Sequence, residues 1–547
     1  MRSSPSMQRR GLSLTMIRRS ARSKGGNDDG NNGNNSNNRN SGNLSVPRGQ
    51  LETNLEANMD RIKSEVAASP DLIVRRFTLR TAQHQHVAAV YLETITDKEA
   101  VNEFVMRSLM SPFLPETPPE EGTSPEEAFK YICDNALAVG QVEVLDNWTT
   151  MLLELLTGKT LLFVDGWDQC VSCSTIGGDK RAVSEASTQV VIRGPKDSFT
   201  ESLPTNIALI RRRIRSERFG FEATKIGRVT QTNVAMLYID GIVKEEIKQE
   251  VRKRLAKIDT DAILESGYIE EFIEDNWSSP FPTIYNTERP DVIAANLLEG
   301  RIAILVDGTP FALVVPTILP QFFASAEDYY QRYDIGTFLR LLRYASFIIS
   351  LFGPAVYIAL TTFHQEMLPT TLLINLSGAR EGVPFPALIE AFAMELSFEI
   401  LREAGVRMPR AVGQAVSIVG ALVLGEAAVQ AGIVSPIMVI VVAITAIANF
   451  SIAAYNLAIT ARLLRFLFMI AAGTIGFYGI ILGLIMLVAH MNSLRSFGVS
   501  FLSPLVPLKF KQMKDVFVRM PHWSFTERPD DTTDNTTRMP SGQKPQT

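Results

Sequence analysis

Three carboxylates lie in an apolar stretch in the last third of the chain. Residues 384–402 read PFPALIEAFAMELSFEILR and contain Glu390, Glu395 and Glu399. Residues four apart share one face of a helix, so Glu395 and Glu399 form a stripe with Glu403, and Glu390 points elsewhere. Because a carboxylate inside a membrane is costly, such acids face water or a partner. The stretch is therefore either a helix that lines a cation path or an interfacial or re-entrant helix whose acids meet solvent.

Two more polar residues lie in apolar surroundings. Glu426 stands four residues before Gln430, and Asn449 stands seven before Asn456. A polar group in lipid needs a hydrogen-bond partner, which a neighbouring helix or a polar path could provide. Glu426 and Asn449 therefore join the three carboxylates as candidates for an ion path, and bonding between helices is the alternative.

Other residues that could carry chemistry form incomplete sets. Cys170 and Cys173 have the CxxC spacing, but a structural zinc site of this kind needs a second pair, and the sequence has only three cysteines. A redox pair would be expected where a strand opens into a helix. The sequence has no P-loop, GxSxG or HExxH motif. These features indicate a protein without enzymatic activity, cofactor or metal.

The candidate residues lie among long apolar segments. A helix needs ~20 apolar residues to cross a hydrocarbon core. The segments of about that length or longer are 344–363, 411–432, 436–461 and 464–491. Together with residues 384–402, they predict an α-helical membrane domain over 336–495 with four or five spans.

The charges near these segments bear on the number of spans. If residues 384–402 cross the membrane, the five-span arrangement places Arg462 and Arg465 on the same side as the N-terminal head. The positive-inside rule favours this arrangement. The same arrangement places Lys509 on the opposite side, which counts against it.

The region before the apolar segments contains an internal repeat. Residues 87–95 (VAAVYLETI) match residues 234–242 (VAMLYIDGI) at an offset of 147. Residues 155–166 (LLTGKTLLFVDG) match residues 297–308 (LLEGRIAILVDG) at an offset of 142. Because order and spacing are nearly kept, the pattern indicates a duplicated unit.

Each copy has the pattern of a small α/β domain. A β-rich run is followed by an amphipathic helix, over 98–110 in the first copy and 244–258 in the second. A later helix ends at Gly158 or Gly300, and a buried strand, an Asp-Gly turn and a return strand follow. Alternating strands and helices predict two similar α/β domains, over 51–183 and 184–335.

The segment between the copies is rich in arginine. Arg193, Gly194 and Pro195 begin a turn, and residues 206–214 form a basic helix that contains Arg211, Arg212 and Arg213. One interpretation is an ordinary linker with solvated arginines. The other is a contact between domains or between subunits, with these six residues as the candidates.

Charge and composition describe the rest of the chain. Among its 547 residues, charged residues make up 20% and the net charge is −4, so nothing indicates a nucleic-acid partner. Residues 1–50 are basic and rich in Asn and Gly, which predicts a disordered tail that could touch anionic lipid. Residues 496–547 are predicted to be a C-terminal tail whose distal part is disordered.

Four separated passages resemble one protein family. They are IRGPKDSFTESLPTNIALIRRRI at 192–214, ERPDVIAANLLEGRIAILVDGTPFALVVP at 288–316, DYYQRYDIGTFLRLLRY at 328–344 and HMNSLRSFGVSFLSPL at 490–505. In the same order, they are similar to passages of the GerA family of bacterial spore germination proteins, in particular the A subunit of a nutrient germinant receptor. The resemblance runs from about residue 55 to 520.

The resemblance implies a function. It implies a complex in the spore inner membrane with a transporter-like B subunit and a lipoprotein C subunit. It further implies that nutrients trigger ion release and that the A subunit could form an oligomeric channel, with the head on the core side. The alternatives are a family relative that amplifies germination through another spore channel, and a secondary transporter. A transporter would be expected to show inverted repeats among its membrane helices, whereas the visible repeat lies in the head.

Overall fold

A computed structural model of the chain describes residues 49–67, 69–78, 85–110, 126, 129–130, 133, 141–177, 185–408 and 425–540. The expected disordered tail over 1–50 and the apolar segment 411–432 fall mostly outside these residues.

The first copy of the repeat forms a five-stranded sheet with the order β1-β2-β4-β5-β3. Its strands are β1 (Leu72–Thr78), β2 (His86–Leu92), β3 (Val142–Leu145), β4 (Thr160–Val164) and β5 (Cys170–Cys173). Its helices are α1 (Leu55–Glu65), a π-helical segment (Ala100–Met106) that continues as α2 (Arg107–Met110), and α3 (Trp148–Thr157). Buried apolar side chains cover both faces of the sheet, so it forms the centre of this copy.

The second copy forms a sheet with the equivalent order β6-β7-β9-β10-β8. Its strands are β6 (Phe219–Ile226), β7 (Thr232–Ile239), β8 (Tyr285–Thr287), β9 (Ile302–Val306) and β10 (Ala312–Val315). Its helices are α4 (Leu203–Arg211), α5 (Glu245–Ala256), α6 (Ser266–Ile273) and α7 (Pro290–Leu298). Helix α4 is the predicted basic helix, and it begins three residues earlier than expected.

The register shows that the two copies are equivalent. Val87 faces Val164 across β2 and β4, and Val234 faces Val306 across β7 and β9. In both copies the strand after the glycine leads through an Asp-Gly turn into an antiparallel return strand. The prediction that the two segments are equivalent strand–turn–strand units is therefore confirmed. The domain bounds at 51–183 and 184–335 stay a prediction.

Local sequence explains where these elements end. Gly158 has a φ of 101° and Gly300 a φ of 81°, which is the left-handed conformation expected after a helix. The turn glycines Gly166 and Gly308 have φ values of 85° and 93°. Side chains other than glycine rarely adopt this conformation, so the glycines fix both the helix ends and the hairpins.

The sheets differ in one respect from the alternating pattern in the sequence. All the strand pairs in both five-stranded sheets are antiparallel. Tight turns account for the β4–β5 and β9–β10 pairs, because such turns reverse the chain direction. Each copy is therefore an antiparallel sheet with helices packed on its faces.

An apolar helical region follows the head. Its elements are α8 (Leu319–Phe323), α9 (Glu327–Tyr330), α10 (Tyr333–Thr362), α11 (Thr370–Arg380), α12 (Ala387–Arg407), α13 (Pro436–Phe450), α14 (Tyr455–Ile475) and α15 (Phe477–Ser493). Among the described residues, α10 and α14 are long and apolar enough to cross a bilayer, and α13 and α15 are shorter apolar helices.

The bounds of two expected spans are wrong. Residues 436–461 and 464–491 were expected to form one span each, but they divide among the three helices α13, α14 and α15. One break lies at 451–454, and the other lies at Gly476, which has a φ of 64° and where an added Cβ would meet the His364 ring. Arg462 and Arg465 consequently lie inside α14 rather than at the junction of two spans, so they do not support the five-span arrangement.

The C-terminal segment, residues 495–540, packs on the head. It contains the short strands β11 (Arg495–Ser496) and β12 (Val499–Ser500). Lys244 donates to the Asp530 carbonyl at 2.6 Å, and Arg538 pairs with Glu299 at 2.8 Å. The expectation of a disordered distal tail is therefore wrong for the described residues up to 540. The five-span arrangement puts Lys509 and the head on opposite sides, and the number of spans, four or five, stays a prediction.

Candidate functional site

A buried polar cluster lies inside the apolar helices. Arg465 of α14 is 2% exposed, and Glu395 of α12 is 0% exposed. Arg465 Nη1 lies 2.6 Å from a Glu395 carboxylate oxygen. Arg465 also donates to the carbonyl and the hydroxyl oxygen of Ser350 in α10, at 2.7 and 2.9 Å. One ion pair thus joins three helices at the centre of the region.

Asn449 extends this cluster to a fourth helix. Its side-chain amide donates to the Ser350 hydroxyl and to the Ala458 carbonyl, both at 3.1 Å. Asn449 and Glu395, which the sequence proposed as ion-path candidates, are therefore brought together around Ser350 and Arg465. These contacts support the alternative of bonding between helices for Asn449.

The other two acids of α12 have different surroundings. Glu390 accepts hydrogen bonds from the backbone and the hydroxyl of Ser435, at 2.6 and 2.5 Å, and Arg380 lies 3.8 Å away. Glu399 pairs with Arg402 on its own helix and lies 3.4 Å from Arg462 of α14. The structure thus places both Glu395 and Glu399 against α14, in agreement with the prediction that residues four apart share one helix face. Glu390 faces the start of α13 instead.

Glu426 stands apart from this cluster. Its carboxylate is exposed and accepts a hydrogen bond from Gln430 at 3.1 Å. A role of any of these five residues in an ion path stays a prediction.

Sequence reasoning missed the cationic partners of the acidic helix. The expected spans 436–461 and 464–491 put Arg462 and Arg465 at their junction rather than opposite the acids, although the two arginines stand three apart within a stretch of apolar residues. Two arginines three apart and two glutamates four apart each lie on one helix face. That complementarity was a signal in the sequence, because buried charges are normally paired.

A second buried ion pair joins the two copies in the head. Arg211 of α4 binds both carboxylate oxygens of Asp71, at 3.0 and 2.8 Å, and donates to the Ser69 hydroxyl at 2.7 Å. Arg212 donates to the Gly177 carbonyl at 2.7 Å. These partners belong to the first copy, so the two arginines connect the linker helix to it.

The remaining linker candidates lie elsewhere. Arg213 pairs with Asp197 in the linker itself. Gly194 packs closely on the Tyr330 ring, and the Pro195 carbonyl accepts a hydrogen bond from Arg289 at 2.9 Å. Arg193 is exposed, and no contact of its side chain is seen among the described residues.

The passage around Glu288 and Arg289 holds the linker in place. The Glu288 carboxylate accepts hydrogen bonds from the backbone of Thr188 and Gln189, and Arg289 donates to the Gln189 carbonyl at 3.2 Å. Arg289 also pairs with Asp291 at 2.7 Å. Arg289 also donates to the Pro195 carbonyl, and the Phe199 N–H donates to the Glu288 carbonyl, so two of the four passages that resemble the GerA family, 192–214 and 288–316, meet in space.

Cys170 and Cys173 are part of the apolar core of the first copy. Cys170 and Cys173 are free and buried in β5, and they lie in apolar clusters on opposite faces of the sheet. Burial raises the pKa of both thiols. Reactive thiols have lowered pKa values, so this environment does not favour redox chemistry.

These observations define a class: a protein with a duplicated antiparallel head and an apolar helix bundle that contains paired buried charges. The sequence model of the Bacillus/Clostridium GerA spore germination protein matches residues 60–531. The chain therefore belongs to the GerA family of spore germination proteins.

Individual relatives agree with this assignment. The chain is 50% identical to spore germination protein KA of Bacillus subtilis (strain 168), over 91% of this chain and 90% of that protein. It is 40% identical to spore germination protein GerLA of Bacillus cereus, over 89% of this chain and 98% of that protein. It also matches the crystal structure of the N-terminal domain of the A subunit of the Bacillus megaterium spore germinant receptor GerK3. That match has 40% identity, covers 49% of this chain and 97% of the other, and has a TM-score of 0.39.

Proposed function

We propose that this chain is the A subunit of a nutrient germinant receptor in the spore inner membrane. Membership of the GerA family over nearly the whole chain carries the proposal. In this proposal it acts with a transporter-like B subunit and a lipoprotein C subunit, and it couples nutrient sensing by the complex to ion release. The proposal assigns no catalytic step to the chain.

The proposed membrane arrangement has an even number of crossings. The apolar helices leave the head at α10, and the chain returns to the head at its C-terminal segment, where Leu319 donates to the Phe501 carbonyl at 2.7 Å. A chain that begins and ends on one side must cross an even number of times. The head and residues 495–540 then share the core side, while the α10–α11 connection lies on the other side.

Cysteine labelling in vesicles of known orientation tests this arrangement. The exposed residues Glu103 in the head, Asp534 in the C-terminal segment and Met367 after α10 provide the three positions. We expect the Glu103→Cys and Asp534→Cys variants to react with a membrane-impermeant maleimide from the same side, and Met367→Cys to react from the other side. The wild-type chain controls for its own cysteines. Reaction of the first two variants from opposite sides would disprove an even number of crossings.

The proposed ion path forms when several copies of the chain assemble. Within one chain, Glu390 and Glu395 are fully buried and have partners, so they hold the helices together. Glu399 pairs with two arginines but remains partly exposed, and Glu426 is exposed. These two acids are therefore the ones available to face a path between subunits, where their charge would concentrate cations.

Ion flux in liposomes tests the receptor function. The chain is reconstituted with its B and C subunits, and potassium release is recorded after nutrient addition. We expect the Glu399→Gln variant to lower the release several-fold without changing assembly, because it removes a charge from the path. Glu381→Gln, which changes an exposed acid outside α12, is the matched control. A cysteine at position 399 should react with a water-soluble thiol reagent only after nutrient addition.

Two outcomes would contradict the proposal. Normal release from Glu399→Gln together with no labelling at position 399 in either state would remove this residue from the path. Release that requires another spore channel, rather than the B and C subunits, would favour the germination-amplifying alternative.

Arg193 is the proposed contact to another subunit. Its exposure leaves the guanidinium free to meet a partner, whereas Arg211 and Arg212 already bind the first copy. Of the six linker candidates, it is therefore the one that this structure leaves for an intersubunit contact.

A further inference from the structure

A cavity of about 670 Å³ lies between the second copy of the repeat and the C-terminal segment. Side chains from α7, from the α8–α9 region and from residues 499–538 line it. Val292, Ala295 and Ile318 supply apolar wall, and Arg301 supplies a charge. The cavity is large enough for a small organic molecule.

Arg301 is buried in this cavity with unused hydrogen-bond donors. It is 5% exposed, and its Nε and Nη1 atoms have no hydrogen-bond partner among the described residues. Burial lowers the pKa of Arg301, although the charges of Glu299 and Asp515 oppose this effect and an arginine remains charged in a protein. Buried donors without an acceptor are costly, so this guanidinium indicates that a hydrogen-bonding anion is missing.

The first copy of the repeat shows how the same position is satisfied. Lys159 follows Gly158 there, as Arg301 follows Gly300 in the second copy. Lys159 Nζ lies 2.5 Å from a Glu154 carboxylate oxygen and 3.2 Å from a Glu143 carboxylate oxygen. Burial opposes the charge of Lys159, but these two acids outweigh it and raise the pKa of the ammonium group.

Neither acid is present in the second copy. Asn296 stands where Glu154 does, at the same offset of 142 that relates Arg301 to Lys159. Tyr285 stands where Glu143 does. In the first copy, Leu161 pairs with Ser172, which pairs with Glu143 in the edge strand. In the second copy, the equivalent Ala303 pairs with Val314, which pairs with Tyr285 in the edge strand.

Both replacements open onto the cavity. Asn296 and Tyr285 are uncharged, and both line the space beside Arg301. The second copy has therefore kept the cation and lost the two carboxylates that pair with it in the first copy, and a cavity lies beside it.

We propose that this cavity binds a small organic carboxylate, with Arg301 holding the carboxylate group. The ligand would supply the negative charge that Glu143 and Glu154 supply in the first copy, and a guanidinium can bind a carboxylate through two parallel hydrogen bonds. The aliphatic part of the ligand would lie against Val292, Ala295 and Ile318. The lining has five acidic and five basic side chains, Arg301 included, so it provides no excess of positive charge for the higher charge of phosphate. This site is independent of the proposed ion path.

Binding to the full-length chain in detergent micelles tests the proposal. Saturation-transfer NMR is recorded with sodium butyrate, with its neutral analogue butanamide, with butylammonium chloride and with inorganic phosphate. We expect butyrate to bind at least about tenfold more tightly than butanamide, a difference of about 1.4 kcal/mol. Butylammonium should not bind, and phosphate should compete weakly.

Three variants locate the site. Arg301→Gln should weaken butyrate binding at least about tenfold, which is the same factor as the expected difference between butyrate and butanamide. Asn296→Glu restores the internal carboxylate of the first copy, so it should abolish butyrate binding while the protein stays folded, as gel filtration reports. Lys159→Gln alters the equivalent position in the first copy and should leave butyrate binding unchanged.

The proposal fails under any of three results. They are no butyrate binding to the wild-type chain, equal binding of butyrate and butanamide, and butyrate binding that is unchanged in both Arg301→Gln and Asn296→Glu. Preference for phosphate over butyrate would also overturn it. If one variant does not fold, the other variant still decides, because the two act through different side chains.

Discussion

Replacing Arg465 with methionine is expected to destabilise the helix bundle by ~3–5 kcal/mol, because it leaves the buried Glu395 carboxylate without its partner. Methionine keeps much of the length of arginine and fills apolar space, so the lost charge is the main change. The measurement is the temperature at which half of the detergent-solubilised chain leaves the monodisperse gel-filtration peak. We expect a clear fall in that temperature.

Two further variants separate the buried charge from other effects. The double variant Arg465→Met with Glu395→Leu removes both charges and should recover most of the stability, since a buried pair replaced by apolar residues is often neutral. Arg407→Met is the matched control on α12, because Arg407 and Glu403 form an ion pair with side chains 78% and 63% exposed. Exposed pairs contribute ~0–1 kcal/mol. An Arg465→Met variant as stable as the control would show that Glu395 is not held by this pair.

Replacing Arg211 with methionine is expected to destabilise the head by a similar ~3–5 kcal/mol. Asp71 would then be buried with a carboxylate that, among the described residues, keeps only the hydrogen bond from Thr94. Arg211 also lies over the rings of Phe219 and Phe221, at 5.0 and 5.9 Å from their centres, so the substitution affects contacts with both copies. Urea unfolding of the full chain, followed by tryptophan fluorescence, measures the change, since Trp148 is fully buried in the first copy.

The head provides matched controls for this variant. Arg228 and Asp259 form an exposed pair, so Arg228→Met should change stability by ~0–1 kcal/mol. Arg193→Ala should leave the unfolding curve unchanged, because the side chain is exposed. If Arg211→Met unfolds at the same urea concentration as Arg228→Met, the two copies are not joined through the Arg211–Asp71 pair.

The repeated architecture of the head could be predicted from the sequence by itself. The matching segments at 87–95 and 234–242, and at 155–166 and 297–308, gave equivalent strands in equivalent sheets. Glycines at 158 and 300 ended the helices, and the Asp-Gly pairs formed the hairpin turns. These features are local, because a helix end or a tight turn depends on the backbone conformation of a few consecutive residues.

The number of apolar helices was decided by tertiary structure. Residues 436–491 are apolar for most of their length, so composition did not locate the break at 451–454, and the break at Gly476 depends on a single glycine. Polar contacts hold the first break, where Asn449 donates to the Ala458 carbonyl on the next helix. Apolar composition shows that a segment is buried in lipid or protein, but it does not show where the segment turns.

Long-range contacts determined the functional surroundings of the candidate residues. Glu395 and Arg465 are 70 residues apart in sequence, and Glu299 and Arg538 are 239 apart. Helical spacing predicted that Glu395 and Glu399 share a face, but only the packing of α12 on α14 decided that this face meets arginines rather than water. In the same way, the sequence shows the basic residue after Gly300 and the change from Glu154 to Asn296, whereas only the sheet register shows that Tyr285 replaces Glu143.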